Sequence, residues 1–144
     1  MVLHSQLLAD CHHLGRLPQC EVLLHRNAII PWIILVPDTE ETDLLAIPGD
    51  QRNHVMEEAA LIRRVVQEYF QRKKINFAAI GNVVPQLHLH VVGRQEGDHC
   101  WPRPVWGNLT ETREYTSPDV TAIVASIQKN AIAARIPFTA KTDL

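Results

Sequence analysis

No stretch of this sequence comes near the roughly 20 consecutive apolar residues that a helix needs to cross a bilayer, so no membrane-spanning segment is expected. The opening residues, Met1 to Asp10, lack a basic segment followed by an apolar run and a small-residue cleavage site. No secretory signal is therefore read, and a cytoplasmic location is expected. Cysteine is scarce: Cys11, Cys20 and Cys100 are odd in number and irregularly spaced, which suits free thiols in a reducing compartment better than a disulfide framework. Neither sign of charge prevails. The formal net charge is -2 with both signs scattered, so there is no basic patch to hold a polyanionic duplex, and nucleic acid is not an expected partner. Internal repeats and low-complexity segments are lacking as well.

What is present is ordinary globular composition, 46% hydrophobic and 21% charged over 144 residues, enough for one domain spanning 1–144 to bury a core unaided. Leu7, Leu8 and Cys11 behind Ser5, with Gly15 as a stop, read as a short first helix over Ser5 to Leu14, with Cys11, His12 and His13 at its end. Cys20 to Leu24 and Pro31 to Pro37 read as strands of a hairpin around His25, Arg26 and Asn27, the second apolar enough to be buried on both faces. Asp50 opens a long amphipathic helix that is expected to finish on Arg72, Lys73 and Lys74, favourably for its dipole. Ile75 to Ile80 and Gln86 to Gly93 are an expected antiparallel pair, and a last helix fits Ser117 to Arg135, with Ser117 as cap and Pro118 in the first helical position. Strand pairs separated by a helix imply an α+β domain rather than a doubly wound parallel one.

In Gln86-Leu87-His88-Leu89-His90-Val91-Val92 the two-residue period of a strand sends Gln86, His88, His90 and Val92 to one face and Leu87, Leu89 and Val91 to the core. Successive side chains on one face stand about 6.5 to 7 Å apart, close enough for two imidazoles to share a phosphate. Imidazole titrates near neutrality, so one ring can attack phosphorus as a neutral nucleophile while a protonated neighbour stabilises the phosphoryl oxygens or feeds a proton to the leaving group. A zinc pair is the rival reading of alternate histidines, but Cys11, His12, His13 and His99 stand at no recognisable ligand spacing, and neither metal nor cofactor is expected.

The segment Pro85 to Arg94 resembles the signature of the histidine triad (HIT) family, His-x-His-x-His-x-x with apolar residues at x, and looks most like a bacterial branch. His88 and His90 match the second and third histidines, while Gln86 stands at the first. The resemblance spans roughly Cys20 to Arg94, followed by a tryptophan- and proline-bearing loop and helix over 100–136. It implies a HIT-like antiparallel sheet with one long helix and flanking terminal helices, a homodimer, and hydrolysis or transfer at the α-phosphorus of a small nucleotide through a nucleotidyl-histidine. His88 would be the nucleophile, His90 would bind phosphoryl oxygens and help the leaving group, and Gln86 would offer an amide hydrogen bond without shuttling a proton. The alternative is a catalytically weak nucleotide-binding protein using the same cleft.

Two departures from the family pattern bear on the substrate. Of the phosphate-cradling loop only Gly81-Asn82 remains, so Asn82 is the expected phosphate contact. Asp38, Glu40 and Glu41 replace a commonly basic segment, which favours a nucleoside monophosphate derivative over a dinucleoside polyphosphate. Trp32 is a candidate to stack on a base or else a core aromatic of its apolar strand, and the loop Trp101 to Gly107 either packs on the body of the domain or closes over a ligand or a dimer partner through Trp106, with Arg94 or Arg103 adding charge.

Overall fold

The computed structural model describes residues 1–142. Six strands form one antiparallel sheet in the order β4-β5-β3-β2-β1-β6. Along the chain, α1 (Ser5–Asp10) leads into β1 (Cys11–Arg16), then β2 (Cys20–His25) and β3 (Trp32–Pro37). A 3-10 turn (Leu44–Ala46) precedes α2 (Gly49–Tyr69), which is followed by β4 (Lys74–Ala78) and β5 (Leu89–Arg94). The last elements are α3 (Ser117–Ala134) and β6 (Thr139–Ala140). This is the expected α+β arrangement, with the hairpin of β2 and β3 and the antiparallel pair of β4 and β5 in place.

The sheet separates two apolar layers. On one face, α2 and α3 pack Val55, Leu61, Ile62, Val65, Val66, Ile123 and Ile127 against Ile33, Leu35, Leu87, Leu89 and Val91. Each such side chain withdrawn from water contributes about 1.5–3 kcal/mol. On the other face, Trp32, Ile34, Val36 and Val92 meet Leu7 of α1 and Val105 of the loop before α3. β3 is thus buried on both faces, as its unbroken apolar run requires. β5 lies between β3 and β4, with Ile34 opposite His90 on one side and Ala78 opposite it on the other. Gly93 lets this strand press on α2, because a Cβ there would stand 2.6 Å from Val66 Cγ1 and 2.9 Å from Arg72 Cγ.

Several boundaries differ from expectation. The first helix stops at Asp10, and Cys11, His12 and His13 belong to β1, paired with β2. Its cap is His4, whose Nδ1 accepts from Gln6 N, rather than Ser5. Gly15 ends no helix. It lies in β1, and a Cβ on it would fall 2.7 Å from the Phe138 ring, so its bareness admits β6 to the edge. Arg72, Lys73 and Lys74 fall beyond α2, where Gln71 turns out with φ 56°, but the Arg72 guanidinium still donates to the Phe70 carbonyl at 2.8 Å. The cap of α3 is Thr116, in a reciprocal capping box with Asp119, one residue before the expected Ser117.

Candidate active site

β5 begins at Leu89, so His88 is the last residue before the ladder and His90 its second member. Leu87, Leu89 and Val91 enter the helix-side core and turn both imidazoles to the opposite face. The rings lie closer than the strand repeat alone would set them, with centroids 4.9 Å apart and planes at 70°. His88 Nδ1 sits 2.7 Å from the carbonyl oxygen of Gln86. Only a protonated Nδ1 can donate to that oxygen, and the neutral ring therefore carries its lone pair on Nε2.

His90 is set the opposite way. The Trp32 indole Nε1 donates to His90 Nδ1 at 2.9 Å, so a neutral His90 carries its proton on Nε2. Burial, with the neighbouring His88 and His25 adding to it, pushes His90 down to about 3. His90 is a neutral donor at physiological pH, which corrects the expectation of a protonated neighbour. Trp32 is itself held by His25, stacked on one of its faces at 4.1 Å and 10°, and by Trp106, edge-on at 5.9 Å. Trp106 also stands edge-on to His90 at 5.1 Å. Its Nε1 is buried with no hydrogen-bond partner.

A cavity of about 490 Å³ opens over these rings, within the roughly 300–1,000 Å³ common for small-molecule sites. His88, His90, Asn82 and Trp106 line it together with His25, Ile80, Gly81 and the α1 residues Gln6, Leu7 and Asp10. A smaller cavity of about 190 Å³ adjoins His88 from the side of Thr42, Asp43 and Leu44. Among the described residues, no lysine or arginine lines either one. Among the described residues, no three His, Cys, Asp or Glu side chains are grouped so as to hold a metal ion.

The HIT domain model matches residues 6–97, well over half of the chain. The chain belongs to the HIT domain family. Three solved histidine triad proteins agree over nearly the whole length. The protein from Marinobacter aquaeolei is 36% identical, with a TM-score of 0.83 over 92% of this chain and 97% of its own. Its counterpart from Bradyrhizobium japonicum is 34% identical at 0.82, over 90% and 96%. That from Sinorhizobium meliloti is 31% identical at 0.83, over 90% and 96%. A zinc-bound family member from Mycobacterium smegmatis, 18% identical with a TM-score of 0.60, shares the fold. The comparison with curated proteins found no match. Membership supports a nucleotide-binding or hydrolase-type activity.

Within this HIT domain the expected site residues divide into two groups. His88, His90, Asn82, Trp32 and Trp106 all line the main cavity. Trp32 does so as the partner of His90, with one face occupied by His25 and only 7% of its surface exposed, and so offers no free platform for a base. Gln86 and Arg94 lie outside the lining. The Gln86 amide is committed to the N-terminal segment, accepting from His4 N at 2.8 Å and donating to the Val2 carbonyl at 3.0 Å. Arg94 is 1% exposed and clamps Asp98 through Nε at 2.8 Å and Nη2 at 2.9 Å, with Nη1 on Asn76 at 3.0 Å. Its charge is neutralised inside the protein and serves to fold the loop toward Trp101, whose ring lies 5.5 Å away. His25, Gln6, Leu7, Asp10 and Cys11 complete the wall although no local pattern marks them as a site: Gln6, Leu7 and Asp10 belong to the expected first helix, His25 ends β2 rather than lying in a turn, and Cys11 opens β1. Only its pairing with β2, which sets Cys11 opposite His25, brings that wall to the site.

Proposed function

We propose that this protein hydrolyses or transfers at the α-phosphorus of a nucleotide, with His88 as the nucleophile of a nucleotidyl-histidine intermediate. The observation that carries the reading is the 2.7 Å contact from His88 Nδ1 to the Gln86 carbonyl, which leaves the Nε2 lone pair as the ring's reactive position. In the first step Nε2 forms a bond to phosphorus, and the leaving group departs with the electron pair of its own bond and takes up a proton from solvent. Water then attacks phosphorus and gives up a proton to solvent, the N–P bond breaks with its electron pair returning to Nε2, and His88 and a nucleoside monophosphate are released. His90 Nε2–H is a neutral donor for the phosphoryl oxygens, its tautomer fixed before substrate arrives. Asn82, in the cavity wall, is the remaining phosphate contact.

The absence of any lining cation favours a lightly charged substrate. Asp43 faces the small cavity beside His88, so a polyphosphate leaving there would meet a carboxylate and no compensating charge. A nucleoside monophosphate ester or amidate fits this electrostatics better than a dinucleoside polyphosphate. The homodimer has a surface suited to it in the free edge of β4, beside a groove lined by Met56, Ala60, Ile75 and Phe77.

Intact mass spectrometry during turnover of adenosine phosphoramidate, quenched in base because N–P bonds are acid-labile, tests the mechanism. The expected result is a transient adduct of one nucleotide that is absent in His88→Ala, together with loss of turnover. Undiminished turnover in His88→Ala would sink the proposal.

A further inference from the structure

We infer that Gln86 latches an N-terminal strap, residues 2–10, that completes the nucleoside side of the cleft, and that Gln86 is therefore a positioning residue. The inference rests on the nucleotide reading above. An amide projects its C=O and N–H to one side, as a neighbouring β-strand would, and Gln86 uses both on the extended segment ahead of α1: His4 N donates to Oε1 at 2.8 Å and Nε2 donates to Val2 O at 3.0 Å. His4 in turn caps α1 through Nδ1 at 3.0 Å from Gln6 N, and Gln6 Nε2 donates to Asp10 Oδ1 at 3.0 Å. The chain of contacts thus runs from the residue two before the nucleophile to the wall formed by Gln6, Leu7 and Asp10.

Six residues are far too few for a helix to persist alone, and Leu7 is the only buried residue of α1. The strap depends on what ties it down. With His88, His90 and Asn82 taken as the phosphate contacts, the α1 residues and His25, which line the same cavity, are left for the nucleoside. A histidine at position 86 would serve the latch poorly, because the two imidazole nitrogens point away from each other and only one can meet a single extended segment.

The test compares Gln86→Ala, Gln86→His, His4→Pro and His4→Ala with the wild type. Proline at His4, whose φ of -57° it can adopt, removes the N–H that Gln86 accepts, whereas alanine removes only the cap. Three quantities are read: deuterium uptake by residues 2–10, the Kd for adenosine 5'-monophosphate, and kcat and KM for adenosine phosphoramidates of graded leaving-group pKa. Gln86→Ala and Gln86→His are expected to raise uptake and to weaken Kd and KM roughly tenfold, the size of one or two lost hydrogen bonds, with kcat within about twofold and its leaving-group dependence unchanged. His4→Pro should exceed His4→Ala and add nothing to Gln86→Ala. A kcat that falls more steeply with leaving-group pKa in Gln86→Ala, or rises in Gln86→His, would mark Gln86 as a catalytic group and overturn the latch. Wild-type binding of the nucleotide with an equal Kd in Gln86→Ala would overturn the latch alone. Failure of the wild type to bind it would overturn the nucleotide reading and the strap's role together.

Discussion

Trp32 and the Gln86 carbonyl assign opposite tautomers to two adjacent imidazoles, one presenting a lone pair on Nε2 and the other a proton. Replacing Trp32 with phenylalanine keeps an apolar ring but deletes the N–H that occupies His90 Nδ1. That nitrogen would then be free to take a proton, so the His90 ring should titrate at higher pH than in the wild type when followed by the nuclear magnetic resonance of its ring protons. kcat/KM at neutral pH should fall roughly tenfold, the scale of one buried hydrogen bond. An unmoved titration would show that the indole does not control His90. The same residue makes stability depend on pH. With His90 lowered to about 3 in the fold and near 6.5 in the unfolded chain, only the unfolded state takes up the proton between those values. Stability should be level above pH 6.5 and fall toward pH 3, by up to about 1.4 kcal/mol per pH unit from this group. His25, also lowered by burial, acts in the same direction. Urea unfolding at pH 7 and pH 5 should show the loss, and His90→Asn should reduce it; an equal loss in the variant would assign it to other groups.

At the scale of elements, the histidines are placed by β5, and β5 by its closeness to α2. Gly93 makes that approach possible, since any side chain there meets Val66 and Arg72 inside contact distance. Gly93→Ala should cost about 1–3 kcal/mol by overpacking, read as a lower urea midpoint, and should displace the strand enough to reduce turnover. A stability equal to the wild type would mean that the helix yields freely. The N-terminal elements show the limit of reading one segment alone. Leu7, Leu8 and Cys11 recur at helical spacing, but Cys11 to Arg16 joins the sheet because its backbone bonds with β2, and Arg26 N caps the junction on the Asp10 carbonyl at 2.9 Å. No local periodicity encodes that partner.

For the whole molecule, the free edge of β4 beside Met56 and Phe77, each 41% exposed, predicts that Phe77→Arg shifts sedimentation from dimer toward monomer; a wild-type monomer over a wide concentration range would remove the dimer instead. Much of the architecture was legible beforehand. The run Trp32 to Pro37 had to be a two-sided buried strand, the helix after Asp50 had to pack by its apolar face, and the alternation from Leu87 to Val92 already separated the histidines from the core. These follow from periodicity, a property each segment carries within itself. The family signature in Pro85 to Arg94 was equally local, and the HIT domain match agrees with it. What only the tertiary structure decided was the use of each polar group: Arg94 spent on Asp98, Gln86 on residues 2 and 4, Trp32 on His90, and α1 with His25 brought in as a wall. A hydrogen-bonding side chain takes whichever partner the fold sets within about 3 Å. That choice depends on residues up to 84 positions away, as Gln86 and Val2 are, and pattern within one segment holds no record of it.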